Sequence, residues 1–253
     1  MQLHIKEKSI KVWLLAGIIS IAITIAILSM PNTLDPLARH IVMSMGSYWL
    51  LAVLIIGIIH GLKPDEHTWP ITVSYGLMQR DINGVIAAVS VFAGALTLVW
   101  TIMSALIGQL LNLINTSILD PYIDILVGLT MMGVAAYLVF GNHGHAEEVR
   151  TADYKLIWIH GLTAAFGGDF FIVLILTTIL VPTISTGLSF LIGFAFGLGS
   201  WLSQSVIVAL IYKGIIHSIK DWSIIAQAGR LALGILGLFM IGLGIYSLIA
   251  TTD

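Results

Sequence analysis

The amino-acid sequence predicts an all-α polytopic membrane protein, and three observations predict it. Hydrophobic residues make up 58% of the chain and charged ones 9%, where a soluble domain carries about 25% charge. Mean hydropathy is +1.02. The apolar residues gather in runs of about 20, the length that crosses the hydrocarbon core of a bilayer. The 25 glycines fit the same class, because small residues let helices approach closely in lipid. Almost the whole chain goes into spans and short connections, so one integral-membrane domain over 1–253 is expected and a soluble catalytic domain is excluded. There is no cysteine, which removes disulfide relays, thiolate metal ligands and cysteine nucleophiles. A net charge of -2 gives no sign of a nucleic-acid partner.

Seven runs qualify as transmembrane helices. The first, Val12–Met30, follows Lys6, Lys8 and Lys11. It is longer than a signal-peptide core and lacks a small-x-small cleavage site, so it reads as a retained, peripheral span (12–30). Ser47–Thr68 comes next, interrupted near Pro64, followed by Asn83–Ala105 and Tyr122–Phe140. After a cytoplasmic loop at 141–156 come Trp158–Leu180, Thr186–Tyr212, which is long enough to tilt or break, and Gly229–Ile249. Of the 11 Lys and Arg residues, all but Arg39 fall inside if the N-terminus is cytoplasmic. The positive-inside rule then predicts N-terminus in and C-terminus out, at the cell membrane.

One extra helix plus six divides naturally into two three-helix units, 43–140 and 157–250. Such units in tandem run in opposite orientations, the inverted-repeat arrangement of many secondary transporters. Ile59-His60-Gly61-Leu62 recurs as Ile159-His160-Gly161-Leu162, a short echo consistent with that division or with chance. Gly193 with Gly197, and Ser90 with Gly94, form small-xxx-small pairs that read as helix contacts.

The candidate site is Gly57-Ile-Ile-His60-Gly61-Leu-Lys63-Pro64-Asp65-Glu66-His67-Thr-Trp69-Pro70. Ionisable residues at membrane depth are costly and mark function by default. Pro64 offers no N–H to the His60 carbonyl and crowds that turn, so it breaks or kinks the helix. Interrupted helices are how transporters build ion sites. His60, Asp65, Glu66 and His67 supply two imidazoles and two carboxylates. Nitrogen and oxygen donors without thiolate suit nickel, cobalt, zinc or manganese better than copper(I), magnesium or calcium. Lys63 is expected to reach the cytoplasmic headgroups. A plain polar loop is the alternative.

A second group, Trp158 to Phe170, holds His160 at its start and Asp169 about a dozen residues in. Asp169 follows Gly167 and Gly168, which permit unwinding. It is a candidate metal ligand of the second half or a proton carrier, and His160 is a candidate ligand or an interfacial histidine bonded to a backbone carbonyl. The short loop containing His143, His145, Glu147 and Glu148 is a weak cation-collecting segment or merely a solvated one. Ser200, Ser203, Gln204 and Ser205, with Thr97, Thr101 and Ser104, either line a polar path or simply bond to nearby helices and carbonyls.

His60-Gly61-Leu62-Lys63-Pro64-Asp65-Glu66-His67 resembles the signature of the nickel/cobalt transporter superfamily, which includes nickel–cobalt permeases, nickel/cobalt effluxers and urease-accessory-like membrane proteins. There a histidine in the second span is followed by a segment ending in aspartate-histidine, approximately His-Ala-Leu-x-Pro-Asp-His in one branch. The resemblance implies that His60, Asp65 and His67 are required for metal transport and that spans two to seven form the family's six-helix core. Glu66 departs from the pattern by separating Asp65 from His67, so either Glu66 joins the ligands or metal choice differs. Phe166-Gly167-Gly168-Asp169-Phe170 matches the second family signature only loosely.

The expected function is therefore secondary transport of a divalent transition metal, nickel or cobalt first, with zinc and manganese as alternatives. The ion is cargo, and no permanently bound cofactor and no enzyme activity are expected. Alternatives are a metal-binding accessory subunit for metalloenzyme maturation, or a membrane-embedded metalloenzyme using Glu66 as base. A retinal protein is excluded because Gly229–Ile249 has no lysine. With no GxxxxGK[ST] loop, ATP would need a separate subunit. Homo-oligomers, coupling ion and transport direction are left open.

Overall fold

The described residues of the computed structural model are 2–29, 34–65, 67–110, 120–140, 153–166 and 168–250, with the side chains of 2–6, 34–39, 109–110, 120–121, 123–124, 168–169 and 171 excepted. Among them the regular structure is entirely helical: α1 (Gln2–Ser29), α2 (Leu34–Met45), α3 (Trp49–Leu62), α4 (Trp69–Leu77), α5 (Ile82–Leu110), α6 (Asp120–Phe140), α7 (Tyr154–Ala164), α8 (Gly168–Leu180), α9 (Phe190–Ser218) and α10 (Trp222–Ala250). Among the described residues five stretches are long and apolar enough to cross a membrane: Glu7–Ser29, His40–Leu62, Ile82–Gly108, Thr186–Ser218 and Trp222–Ala250. The apolar part of α6, Ile125–Phe140, is shorter. Large apolar side chains such as Ile18, Leu28, Val206, Leu210 and Leu238 stand exposed on these helices, the outward face expected where lipid is the solvent.

The pair α5–α9 organises the bundle. Glycines of α9 have no side chain to hold the helices apart, and a Cβ on Gly193 would strike the backbone of Trp100, while one on Gly197 would strike Thr97. Trp201 donates from Nε1 to Ser90 Oγ at 2.9 Å. Later residues of α9 meet earlier residues of α5, so the two run antiparallel. By the same reading α6 and α10 are antiparallel: Gly128 faces the Gly237 carbonyl, Gly237 faces that of Gly128, and Arg230 donates from Nη1 to the Leu138 carbonyl at 3.2 Å.

Two expected spans are not single helices. Ser47–Thr68 does not end at a cytoplasmic loop. α3 stops at Leu62, and after a break the chain re-enters the bundle as α4, whose residues Pro70 to Leu77 are all buried. Gly57 and Gly61 of α3 lie against Phe196 and Ser200, and Gly76 of α4 lies against Val208 further along α9. Tyr212 donates to the Gln79 carbonyl at 3.2 Å. Thus α3 and α4 together follow α9 in the same direction, and the break between them is level with the middle of α9. Lys63 belongs to this break, part-way along the combined path of α3 and α4. Likewise Trp158–Leu180 is divided into α7 and α8, neither long enough to span alone. Gly161 lies against Phe92 and Ala95, Trp100 reaches the Ala165 carbonyl, and Gly108 lies near Val181, so α7 and α8 follow α5.

Gly193→Val is expected to destabilise the protein by about 1–3 kcal/mol, the usual cost of forcing extra methyl groups into a packed contact. Gly133→Ala, whose Cβ would meet nothing within 4 Å, is the neutral control. Thermal unfolding in detergent checks this, and equal melting points for the two variants would contradict the close α5–α9 crossing.

Candidate functional site at two helix breaks

The first break is built by its own residues. Because Pro64 carries no N–H and disfavours helical geometry in the residue before it, Lys63 is extended, at φ -75 and ψ 128. Its N–H is shared between the carbonyls of Ile59, at 3.2 Å, and His60, at 3.0 Å. The carbonyl that proline would have left without a donor is thereby covered. Asp65 then prepares the next helix. Its Oδ1 accepts from the N–H of His67 at 2.9 Å and of Thr68 at 2.7 Å, and its Oδ2 accepts from the Thr68 hydroxyl. Both carboxylate oxygens hold the start of α4, where backbone donors would otherwise be orphaned inside the bundle. Pro70 sits in the first turn of α4, the helical position that tolerates a missing N–H.

His60, Asp65 and His67 are all inside, at 2%, 6% and 1% exposure. His60 lies in the last turn of α3, its ring tilted at 37° to that of Phe196 with centroids 5.1 Å apart. Phe196 in turn meets Trp100 edge-on at 5.2 Å, and Trp100 donates from Nε1 to the carbonyl of Ala165 at 2.9 Å. A continuous buried contact therefore joins the first break to the end of α7. The sequence gives no local sign of it, because its members come from four helices.

His160 occupies a different setting. It is 1% exposed, and its Nδ1 lies 2.8 Å from the hydroxyl of Tyr75 on α4, while the ring also lies against the backbone of Val127 in α6. It is thus part of a buried polar contact between α4 and α7. Tyr75 was not among the sequence-derived candidates; its only local signal is that it is a polar-tipped residue in the run after Pro70. Further buried polar groups are Thr68 just before α4, Thr72 and Ser74 of α4, Thr177 of α8, and Ser200, Ser203 and Gln204 of α9. Gln204 donates to Ser200 Oγ at 3.2 Å, while its Oε1 has no partner among the described residues. Thr101 donates to the Thr97 carbonyl at 2.6 Å, and Ser104 donates to the Thr101 carbonyl at 3.1 Å and accepts from the Gly193 N–H of α9 at 3.2 Å.

The expected ligands are only partly assembled. Among the described residues no three His, Asp or Glu side chains are placed to hold one metal ion. Glu66, the side chain of Asp169, and the segment with His143, His145, Glu147 and Glu148 lie outside the described residues. Fold and site together define a polytopic helical membrane protein with two interrupted helices and a buried polar middle. No protein-family model matches the chain, and no curated protein or solved structure is similar enough to count as a match.

Tyr75→Phe leaves the packing volume nearly unchanged but removes the partner of a buried ring nitrogen, which costs about 1–3 kcal/mol. The melting temperature of this variant is expected to fall. A melting temperature equal to wild type would mean that the Tyr75–His160 contact does not contribute to the fold.

Proposed function

We propose that this protein is a secondary transporter of a divalent transition-metal cation, with nickel or cobalt first in the order of test and zinc or manganese after them. The observation that carries the reading is the placing of the α3–α4 break, with buried His60, Asp65 and His67, level with the middle of α9. Buried imidazoles and a carboxylate at membrane depth are costly without a function, and broken helices at the midplane are the recurrent binding element of secondary transporters. The resemblance of His60 to His67 to the nickel/cobalt transporter signature supports the choice of cargo. Glu66 and Asp169 are proposed as further donors, and His160 as the second-half histidine.

If the broken pairs α3–α4 and α7–α8 each make one crossing, α1, α5, α6, α9 and α10 complete seven. The antiparallel pairs α5–α9 and α6–α10 are what two inverted three-helix units require. The N-terminus-in orientation rests on the charge distribution alone, with α2 as an addition between the first two crossings. In this reading the cation sheds water to His60, Asp65 and His67, and rocking of one unit on the other along the α5–α9 contact alternates access. Imidazoles and carboxylates release protons when they ligate a metal, so counter-transport of protons accompanies the ion.

Uptake of nickel, cobalt, zinc and manganese into proteoliposomes tests the proposal, with His60→Ala and Asp65→Asn as variants. Asp65→Asn keeps the Oδ1 acceptor for the α4 backbone but removes the charge. Saturable wild-type flux lost by at least about ten-fold in both variants is the expected result, corresponding to about 1.4 kcal/mol. Metal binding by correctly inserted protein without any flux would overturn the transporter reading in favour of an accessory subunit. Full activity of Asp65→Asn would restrict Asp65 to holding α4.

A further inference from the structure

The start of α1 leaves a cavity of 450 Å³ against α6 and α10, lined by Lys8, Ser9, Val12, Trp13, Val139, Gln227, Arg230 and Leu231. The lining is ordered along the helices. On α1 the polar Lys8 and Ser9 come first and the apolar Val12 and Trp13 one turn later; on α10, Gln227 and Arg230 are followed by Leu231. Lys8 lies 3.5 Å from Asp221, just before α10, so the two helices start at the same end and run in the same direction. The cavity wall therefore carries an ammonium, a guanidinium, a hydroxyl and an amide beside aliphatic and aromatic side chains. Trp13 is an exposed indole on that wall, a residue type favoured at membrane interfaces.

We infer that this cavity binds an anionic phospholipid, with its phosphate between Lys8 and Arg230 and the first part of its acyl chains against Val12, Trp13, Val139 and Leu231. Basic pockets between helices at the headgroup level recognise such lipids, and guanidinium is well suited to phosphate. The local acidic groups do not cancel the site. Glu7 is paired with Lys11 at 2.7 Å. Asp221 accepts from the Ser223 N–H at 2.9 Å and hydroxyl at 2.7 Å, and its pair with Lys8 is between half-exposed side chains, a weak surface pair with which a phosphate can compete. That hydroxyl first, and then the Ser223 N–H and the charge of Lys8, hold the Asp221 carboxyl below its ordinary value against some desolvation. Arg230 donates through Nη1 to the Leu138 carbonyl, which fixes the guanidinium at the cavity wall. A bound lipid would tie the peripheral α1 to the bundle. This inference does not rest on the transport reading.

The test is native mass spectrometry of the purified full-length protein exchanged into mixed phosphatidylglycerol and phosphatidylcholine. Wild type is expected to retain phosphatidylglycerol in preference, and Lys8→Gln to lower that preference by about five-fold, the effect of one basic residue near an anionic membrane surface. Lys155→Gln, which removes the same charge from the exposed start of α7, should leave it unchanged. Arg230→Gln should lower it too; because Arg230 also holds Leu138, Lys8→Gln is the deciding variant. Equal retention of the two lipids, or a Lys8→Gln protein indistinguishable from Lys155→Gln, would overturn the site. Displacement of bound phosphatidylglycerol by millimolar inorganic phosphate would overturn the lipid assignment in favour of a free anion.

Discussion

The structure depends on one constraint: backbone groups released where a helix is interrupted inside an apolar bundle have no water to turn to. Each break meets it by a different device. At Pro64 the missing donor is replaced by the N–H of Lys63, and the new helix start is held by Asp65. At the end of α7 the Ala165 carbonyl accepts from the Trp100 indole. Both solutions rely on α9 and α5 approaching closely enough to bring Phe196 and Trp100 to the centre, which their glycine contacts permit. The α5–α9 crossing is therefore the element from which the breaks take their positions.

The helical class was legible in composition, and the first break in Pro64, because both follow from local chemistry. Gly167 and Gly168 likewise signalled the interruption of the fifth expected span. What was not legible was α4. Its residues Trp69 to Leu77 are too few to satisfy a span-length criterion, and the charges at Lys63 and Arg80 made the intervening run look like an excursion out of the membrane. Positive-inside counting assigns charges to ends of spans, whereas Lys63 sits at a break between two helices that follow one path. Tyr75 and Trp100 escaped for another reason: their partners, His160 and Ala165, are far away in sequence, and no periodicity encodes which helix a side chain will face.

Asp65 illustrates how fold and proposed function share one group. Its carboxylate already accepts from two backbone N–H groups and a hydroxyl, so few lone pairs remain for anything else. In the proposed transport cycle, an ion that draws on Asp65 competes with the cap of α4. Capture and release of the cation would then act on how firmly α4 is seated along α9, where Gly76 meets Val208. A ligand that favours one of two arrangements shifts the balance between them only by its differential affinity, and Asp65 is a place where such a difference can arise.

The four-residue echo at His60 and His160 has an explanation in packing, not in shared chemistry. Gly61 lies against Ser200 and Ser203, and Gly161 against Phe92 and Ala95. Ser200 is the eleventh residue of α9 and Phe92 the eleventh of α5; Ser203 and Ala95 are the fourteenth of each, and both helices are 29 residues long. The two glycines thus meet corresponding points of α9 and α5, and each lets a broken helix approach a long one closely. The histidines beside them do not correspond in their contacts, since His60 faces the Phe196 ring whereas His160 meets the Tyr75 hydroxyl. Similar glycine contacts at the two breaks therefore carry unlike side-chain settings.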